Sequence, residues 1–83
     1  MMSELEWMDI FGDNLRSLLE EQWMSQQELA DVTGISKSTI SRYINKQCMP
    51  SVAALVNIAY ALNCEIDDIL YFGDRLEFRP SRR

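Results

Sequence analysis

The sequence predicts an all-α domain of five helices, followed by a short C-terminal tail that can form a strand. Apolar residues recur at helical spacing, serines stand at the starts of three of the segments, and the 83 residues include only three Gly and two Pro. A chain of this length forms one small domain with a modest core, so a partner would add stability.

The first helix is expected over residues 10–22, where apolar residues fall at intervals of three and four. Residues 1–9 are interpreted as an N-terminal extension, in which residues 4–7 alternate polar and apolar side chains as a strand does. Gly12 is a minor weakness in the first turn. The core-facing side of this helix is formed by Phe11, Leu15, Leu18 and Leu19.

The second and third helices have clear local signals at their ends. Ser25 and Glu28 have the spacing of a capping box, in which the serine caps the helix and the glutamate reaches back. Gly34 can end this helix in the left-handed conformation, and Ser36 caps the next one. The side chains expected to face inward are Leu29, Val32, Ile35, Ile40, Tyr43 and Ile44.

The fourth helix is expected over residues 52–62, capped by Ser51 and ended by Asn63 in a left-handed conformation. A short fifth helix is expected over residues 66–70, with two aspartates near its start that suit the helix dipole. The apolar stripe of the fourth helix is Val52, Leu55, Ile58, Ala59 and Leu62.

Residues 26–45 have the helix-turn-helix arrangement, two helices joined by a three-residue turn. Ala30 is small where the second helix crosses it, and the outer face of that second helix is polar. In this motif the outer face enters the major groove of DNA, where Arg42 can read guanine through two hydrogen bonds. Gln26, in the first turn, can present its amide to a phosphate. A plain α-hairpin with a solvated polar face is the alternative for the two helices alone.

A longer series of motifs accompanies this pair of helices. It consists of FGDNLR (11–16), SQQELA (25–30), GIS (34–36), ISRY (40–43), PS (50–51), IAYAL (58–62) and IDDIL (66–70). In this order the motifs resemble the XRE family, the phage repressor and Cro type of helix-turn-helix domain, over about residues 10–70. The resemblance implies a five-helix λ-repressor-like fold and a sequence-specific transcriptional regulator that binds double-stranded operator DNA as a homodimer.

The resemblance also implies roles for individual residues. Positions that match the family's base-reading residues are Lys37, Ser38, Ser41 and Arg42. Positions assigned to phosphate binding are Gln26, Ser36, Asn45 and Lys46.

Two features depart from the family pattern. An arginine late in the first helix and a glutamate late in the third often form a pair, but Leu19 and Ile44 stand there, and we expect them to touch in the core. The chain has a net charge of −5, and six of its 13 acidic residues lie in residues 1–24. The acidic residues are thus concentrated outside the third helix, which carries the candidate base-reading residues. The small number of cations predicts a shallow salt dependence of DNA binding.

The tail, residues 71–83, carries more apolar side chains than a solvated end needs. Residues 75–79 alternate like a strand, which would pair with a partner subunit or with residues 5–7, or the tail folds back on its own domain. The residues assigned to dimerisation are Tyr71, Phe72, Leu76 and Phe78.

No pattern indicates an enzyme, a cofactor or a metal site. Cys48 and Cys64 are far apart in a chain without His, and are expected to be reduced thiols of a cytoplasmic protein. The N-terminal segment does not resemble a signal peptide, and no apolar run is long enough to span a membrane. The rival hypothesis is a protein-interaction module, such as an antirepressor that has lost strong DNA binding. An antitoxin or controller-type regulator would share the DNA-binding chemistry.

Overall fold

The computed structural model describes residues 2–71, and its helices confirm the all-α fold class. They are α1 (Glu4–Glu21), α2 (Gln26–Thr33), α3 (Lys37–Ile44), α4 (Val52–Ala61) and α5 (Ile66–Ile69), with no β-strand in the described range. Helix α1 packs against α3 and α5, α2 packs against α3 and α4, and α4 packs against α5. None of these helices is long and apolar enough to cross a membrane. The predicted strand at residues 75–79 lies outside the described residues.

Serine caps define the starts of α2, α3 and α4 as the sequence predicts. The hydroxyls of Ser25, Ser36 and Ser51 accept hydrogen bonds from the backbone amides three residues on, at 3.0, 3.1 and 3.1 Å. Gly34 ends α2 with φ +76°, and Asn63 follows α4 with φ +55°. These local hydrogen bonds satisfy the amides and carbonyls that a helix leaves open at its ends.

Helix α1 begins at Glu4, so the expected start at residue 10 and the strand-like interpretation of residues 4–7 are wrong. Ser3 caps the helix: its hydroxyl accepts from the Glu6 amide at 3.2 Å, and its own amide donates to the Glu6 carboxylate at 2.8 Å. Residues 4–9, assigned to an extension, are therefore the first turns of α1. Alternation over only four residues is equally compatible with a helix, and the capping box decides between the two structures.

The core is one cluster of buried side chains to which all five helices contribute. Phe11 meets Tyr43 edge to face, with ring centroids 5.5 Å apart. Val32 and Val52, expected to face inward, are instead 62% and 79% exposed. The fully buried large side chains are Ile10, Phe11, Leu15, Leu29, Ile40, Ile58, Leu62 and Ile69.

Gly12 is a contact residue and not a defect in the first helix. A Cβ at this position would lie 2.9 Å from the Tyr43 carbonyl oxygen and 3.1 Å from that of Ile44. It would also lie 2.9 Å from Cγ of Lys46. The absence of a side chain at Gly12 therefore lets the end of α3 pass directly over α1, which fixes the position of the helix-turn-helix unit on the domain.

Candidate nucleic-acid interface

The α2–turn–α3 unit is held together by its own hydrogen bonds and by the core beneath it. Both bonds of the Ser25–Glu28 capping box are present, the second from the Ser25 amide to the Glu28 carboxylate at 2.8 Å. At the turn, the Thr33 hydroxyl donates to the Leu29 carbonyl at 2.7 Å and accepts from the Ile35 amide at 3.2 Å. These bonds present α3 as a rigid element with one buried and one exposed face.

The exposed face of α3 carries the predicted base-reading residues. Lys37, Ser38 and Arg42 are exposed, and Ser41 is half-buried. Within residues 2–71, neither Lys37 nor Arg42 forms an ion pair, so both charges are available to an incoming anion. The opposite face is anchored by Ile40 and Tyr43. The helix therefore offers two cations and two hydroxyls in one direction, which is the donor chemistry that base edges and phosphates accept.

The predicted phosphate-binding residues are in unequal situations. The Ser36 hydroxyl is occupied by its capping role, since it accepts from the Thr39 amide and donates to the Thr39 hydroxyl at 2.9 Å. The Asn45 side chain is exposed at the end of α3, 3.4 Å from the Ser41 hydroxyl. Gln26 is the first residue of α2, where the backbone amides have no partner within the helix. Gln26 and Asn45 therefore retain donors for a phosphate.

Lys46 is held against α1. Its ammonium group lies 2.6 Å from the Asp9 carboxylate and 2.9 Å from the Asp13 carboxylate. Hydrogen bonds to Asp9 and then to Asp13 raise the pKa of Lys46 above its ordinary value. The residue follows α3 with φ +64°, a left-handed conformation. Its charge is thus balanced within the domain, which weakens the attraction between Lys46 and a phosphate.

Leu19 and Ile44 stand where the family pattern often has an arginine–glutamate pair. Leu19 is buried and Ile44 is half-buried against the core, and both line one groove between α1 and the start of α2. None of the buried residues in the described part of the chain is polar or charged. The replacement of both partners therefore leaves no unpaired charge behind.

Arg16 and Trp23 line the same groove and were missed by the sequence analysis. Arg16 lies one helical turn before Leu19, a spacing that places both on one face of α1. Its guanidinium is 3.4 Å from the Asp13 carboxylate at an exposed site, so this pair is weak. The sequence analysis also missed the acidic pair that holds Lys46. Asp9 and Asp13 are four residues apart, and this spacing, which places both on one face of α1, could have identified them.

Of the residues assigned to dimerisation, only Tyr71 lies within the described residues. Its side chain is 44% exposed, and its carbonyl accepts a hydrogen bond from the Asn14 side chain at 2.8 Å. Phe72, Leu76 and Phe78 lie outside the described residues.

Comparison with known proteins gives consistent relatives. Residues 15–69 match the helix-turn-helix family HTH_3. The chain is 34% identical over 71 residues to the HTH-type transcriptional repressor RghR of Bacillus subtilis, covering 84% of this chain and 53% of that protein. It is 37% identical over 70 residues to the competence pilus inhibition repressor of Acinetobacter baylyi, covering 84% of this chain and 63% of that protein. The chain thus spans between half and two-thirds of these relatives.

Two solved structures share the fold. An HTH_3 family transcriptional regulator from Vibrio cholerae superposes with a TM-score of 0.77 at 21% identity, covering 81% of this chain and 38% of that one. The restriction-modification controller protein C.AhdI from Aeromonas hydrophila superposes with a TM-score of 0.72 at 27% identity, covering 75% of this chain and 94% of that one.

Proposed function

The chain belongs to HTH_3, the XRE-type helix-turn-helix family of DNA-binding transcription regulators, and we propose that it represses transcription by binding a palindromic operator as a homodimer. The observation that carries this proposal is the exposed face of α3. Lys37 and Arg42 project from a helix whose other face is core, and no carboxylate within residues 2–71 pairs with either. Such a face complements the acceptors that guanine presents in the major groove.

The small size of the exposed face of α3 supports the proposed dimerisation. One α3 reaches only a few base pairs, so a long operator requires two copies of the helix related by two-fold symmetry. The relatives named as repressors support regulation by repression, and the controller protein supports the related controller role, which shares the DNA-binding chemistry.

Selection of bound sequences from a random DNA pool tests the proposal. We expect enrichment of a palindrome whose half-sites are centred about 34–36 Å apart, one helical turn. Arg42→Ala should cost about 1–3 kcal/mol and relax the preference at one base position in each half-site. Asn45→Ala, at the C-cap of α3 one turn beyond Arg42, is the matched control, and it should weaken all sequences alike because a phosphate contact carries no sequence information.

The salt dependence of binding gives a second measurement. Each phosphate neutralised steepens the log–log slope by about 0.9, and few cations of the domain are available because Lys46 is paired. We expect a slope no steeper than about −6 for the dimer. Absence of any enriched sequence at low salt would instead favour the protein-interaction module, for which the acidity of residues 1–24 is the supporting observation.

A further inference from the structure

Trp23 occupies a conformation that its side chain does not favour and receives no burial in return. It follows α1 with φ +55°, in the left-handed region where glycine is preferred, and its side chain is 93% exposed. Its amide donates to the Glu20 carbonyl at 3.2 Å, so the backbone conformation is part of the end of α1. The same conformation follows α3 at Lys46 and α4 at Asn63, so the helix end accounts for the backbone of Trp23. The helix end does not account for the exposure of so large an apolar ring, which points to a contact outside the protomer.

The place where Trp23 projects is continuous with the proposed DNA-binding face. Trp23, Arg16 and Gln26 line one open groove, and Gln26 is the predicted phosphate-binding residue at the start of α2. The Arg16 side chain is 58% exposed, and its ion pair within residues 2–71 is the weak one with Asp13. The floor of the groove is apolar, formed by Leu19, Met24 and Ile44. A cation, an aromatic ring and an amide thus border one apolar trough.

We propose that Arg16 and Trp23 form a second contact with the DNA backbone beside Gln26. Arg16 binds a phosphate oxygen through its guanidinium, and the Trp23 ring lies against the apolar face of the adjacent deoxyribose. This contact adds to the proposed DNA-binding function, on which it rests. Arginine suits the role because its donors match the geometry of a phosphate.

One acidic residue, Glu20, also lines the groove and opposes the approach of a phosphate. This supplies an internal control, because the neighbouring Glu21 is exposed on the same helix but does not line the groove. If the DNA backbone lies in the groove, Glu20→Gln tightens operator binding by about twofold, the value of one charge at roughly 10 Å in water. Glu21→Gln has a smaller effect. If the groove instead bound a basic protein partner, Glu20→Gln would weaken the binding of that partner.

The test measures binding of the full chain to the operator selected above, over a range of salt concentrations. Arg16→Gln should weaken binding and reduce the magnitude of the log–log slope by about 0.9 for each protomer. Trp23→Gly should weaken binding several-fold without lowering the unfolding temperature, because glycine adopts the left-handed conformation freely. Circular dichroism of each variant confirms that the helices are retained.

Fluorescence gives a direct readout that a purely structural role would not affect. The chain has two tryptophans, so a Trp7→Phe background leaves Trp23 as the sole tryptophan, which can be excited selectively over tyrosine. Saturation with operator DNA should reduce quenching of Trp23 by acrylamide. Operator binding with unchanged quenching and an unchanged slope in Arg16→Gln would overturn this inference and leave the proposed function intact. A wild-type chain that binds no DNA would overturn both.

Discussion

Gly12→Ala separates helix propensity from tertiary packing, because the two predict opposite signs. In an isolated helix, alanine is favoured over glycine by about 1 kcal/mol. In this fold, the new Cβ would lie 2.9 Å from the Tyr43 carbonyl oxygen and 3.1 Å from that of Ile44. Both are backbone atoms at the end of α3, so neither can move aside by changing a rotamer. The contact with Lys46 Cγ, also 2.9 Å, is easier to relieve because that side chain is flexible.

The net effect follows from comparing the two terms. Overpacking of a close contact costs about 1–3 kcal/mol, and rigid backbone neighbours favour the upper half of that range. After the gain in propensity, we expect a net destabilisation of about 1–2 kcal/mol. For a domain of this size, that lowers the midpoint of thermal unfolding by roughly 4–16 °C.

Thermal and urea unfolding, followed by circular dichroism, measure this change. Ser17→Ala is the matched control, since Ser17 is exposed on the same helix and should gain a few tenths of a kcal/mol from propensity alone. A Gly12→Ala protein that is as stable as the wild type, or more stable, would show that α3 does not approach α1 as closely as described. That result would also contradict the role of Gly12 in positioning α3.

Three further changes test other parts of the structure. Asn14→Ala removes the hydrogen bonds to the Ile69 and Tyr71 carbonyls, at 2.6 and 2.8 Å, and should cost about 1–3 kcal/mol in urea unfolding; an unchanged midpoint would contradict these bonds. Ser25→Ala removes the cap of α2 and should cost about 1 kcal/mol, whereas Ser38→Ala, on the exposed face, should change stability little. Burial, and then the charge of Asp68, raise the pKa of Cys64, so its alkylation should be slower in the folded chain than in urea. Because this pKa is raised on folding, stability should also fall as pH rises through the thiol range; equal alkylation rates would contradict the burial.

The cations at the candidate interface differ in whether an ion pair already balances their charge. Lys46 is balanced by two carboxylates of α1, whereas Lys37 and Arg42 form no ion pair within residues 2–71. A net charge of −5 is therefore compatible with a DNA-binding face, because local charges within about 8 Å govern the field that a phosphate meets at physiological salt. For the proposed homodimer, we therefore expect hydrogen bonds and the number of subunits to carry more of the DNA affinity than counterion release does.

The sequence by itself determined the features that depend on residues within four positions of one another. The caps at Ser25, Ser36 and Ser51 and the turn at Gly34 are hydrogen bonds and backbone preferences of this local kind, and all are present in the structure. The start of α1 was also local, in the Ser3–Glu6 capping box, although the alternating pattern of residues 4–7 obscured it.

Only the tertiary structure decided how α1 packs against the α2–turn–α3 unit. The pairing of Lys46 with Asp9 and Asp13 joins residues more than 30 positions apart, and it exists because α3 ends over Gly12. The exposure of Val32 depends on which faces of α2 the other helices cover, which helical spacing does not specify. Local hydrogen bonds are encoded by short segments, whereas the availability of each charge depends on how rigid helices pack against one another.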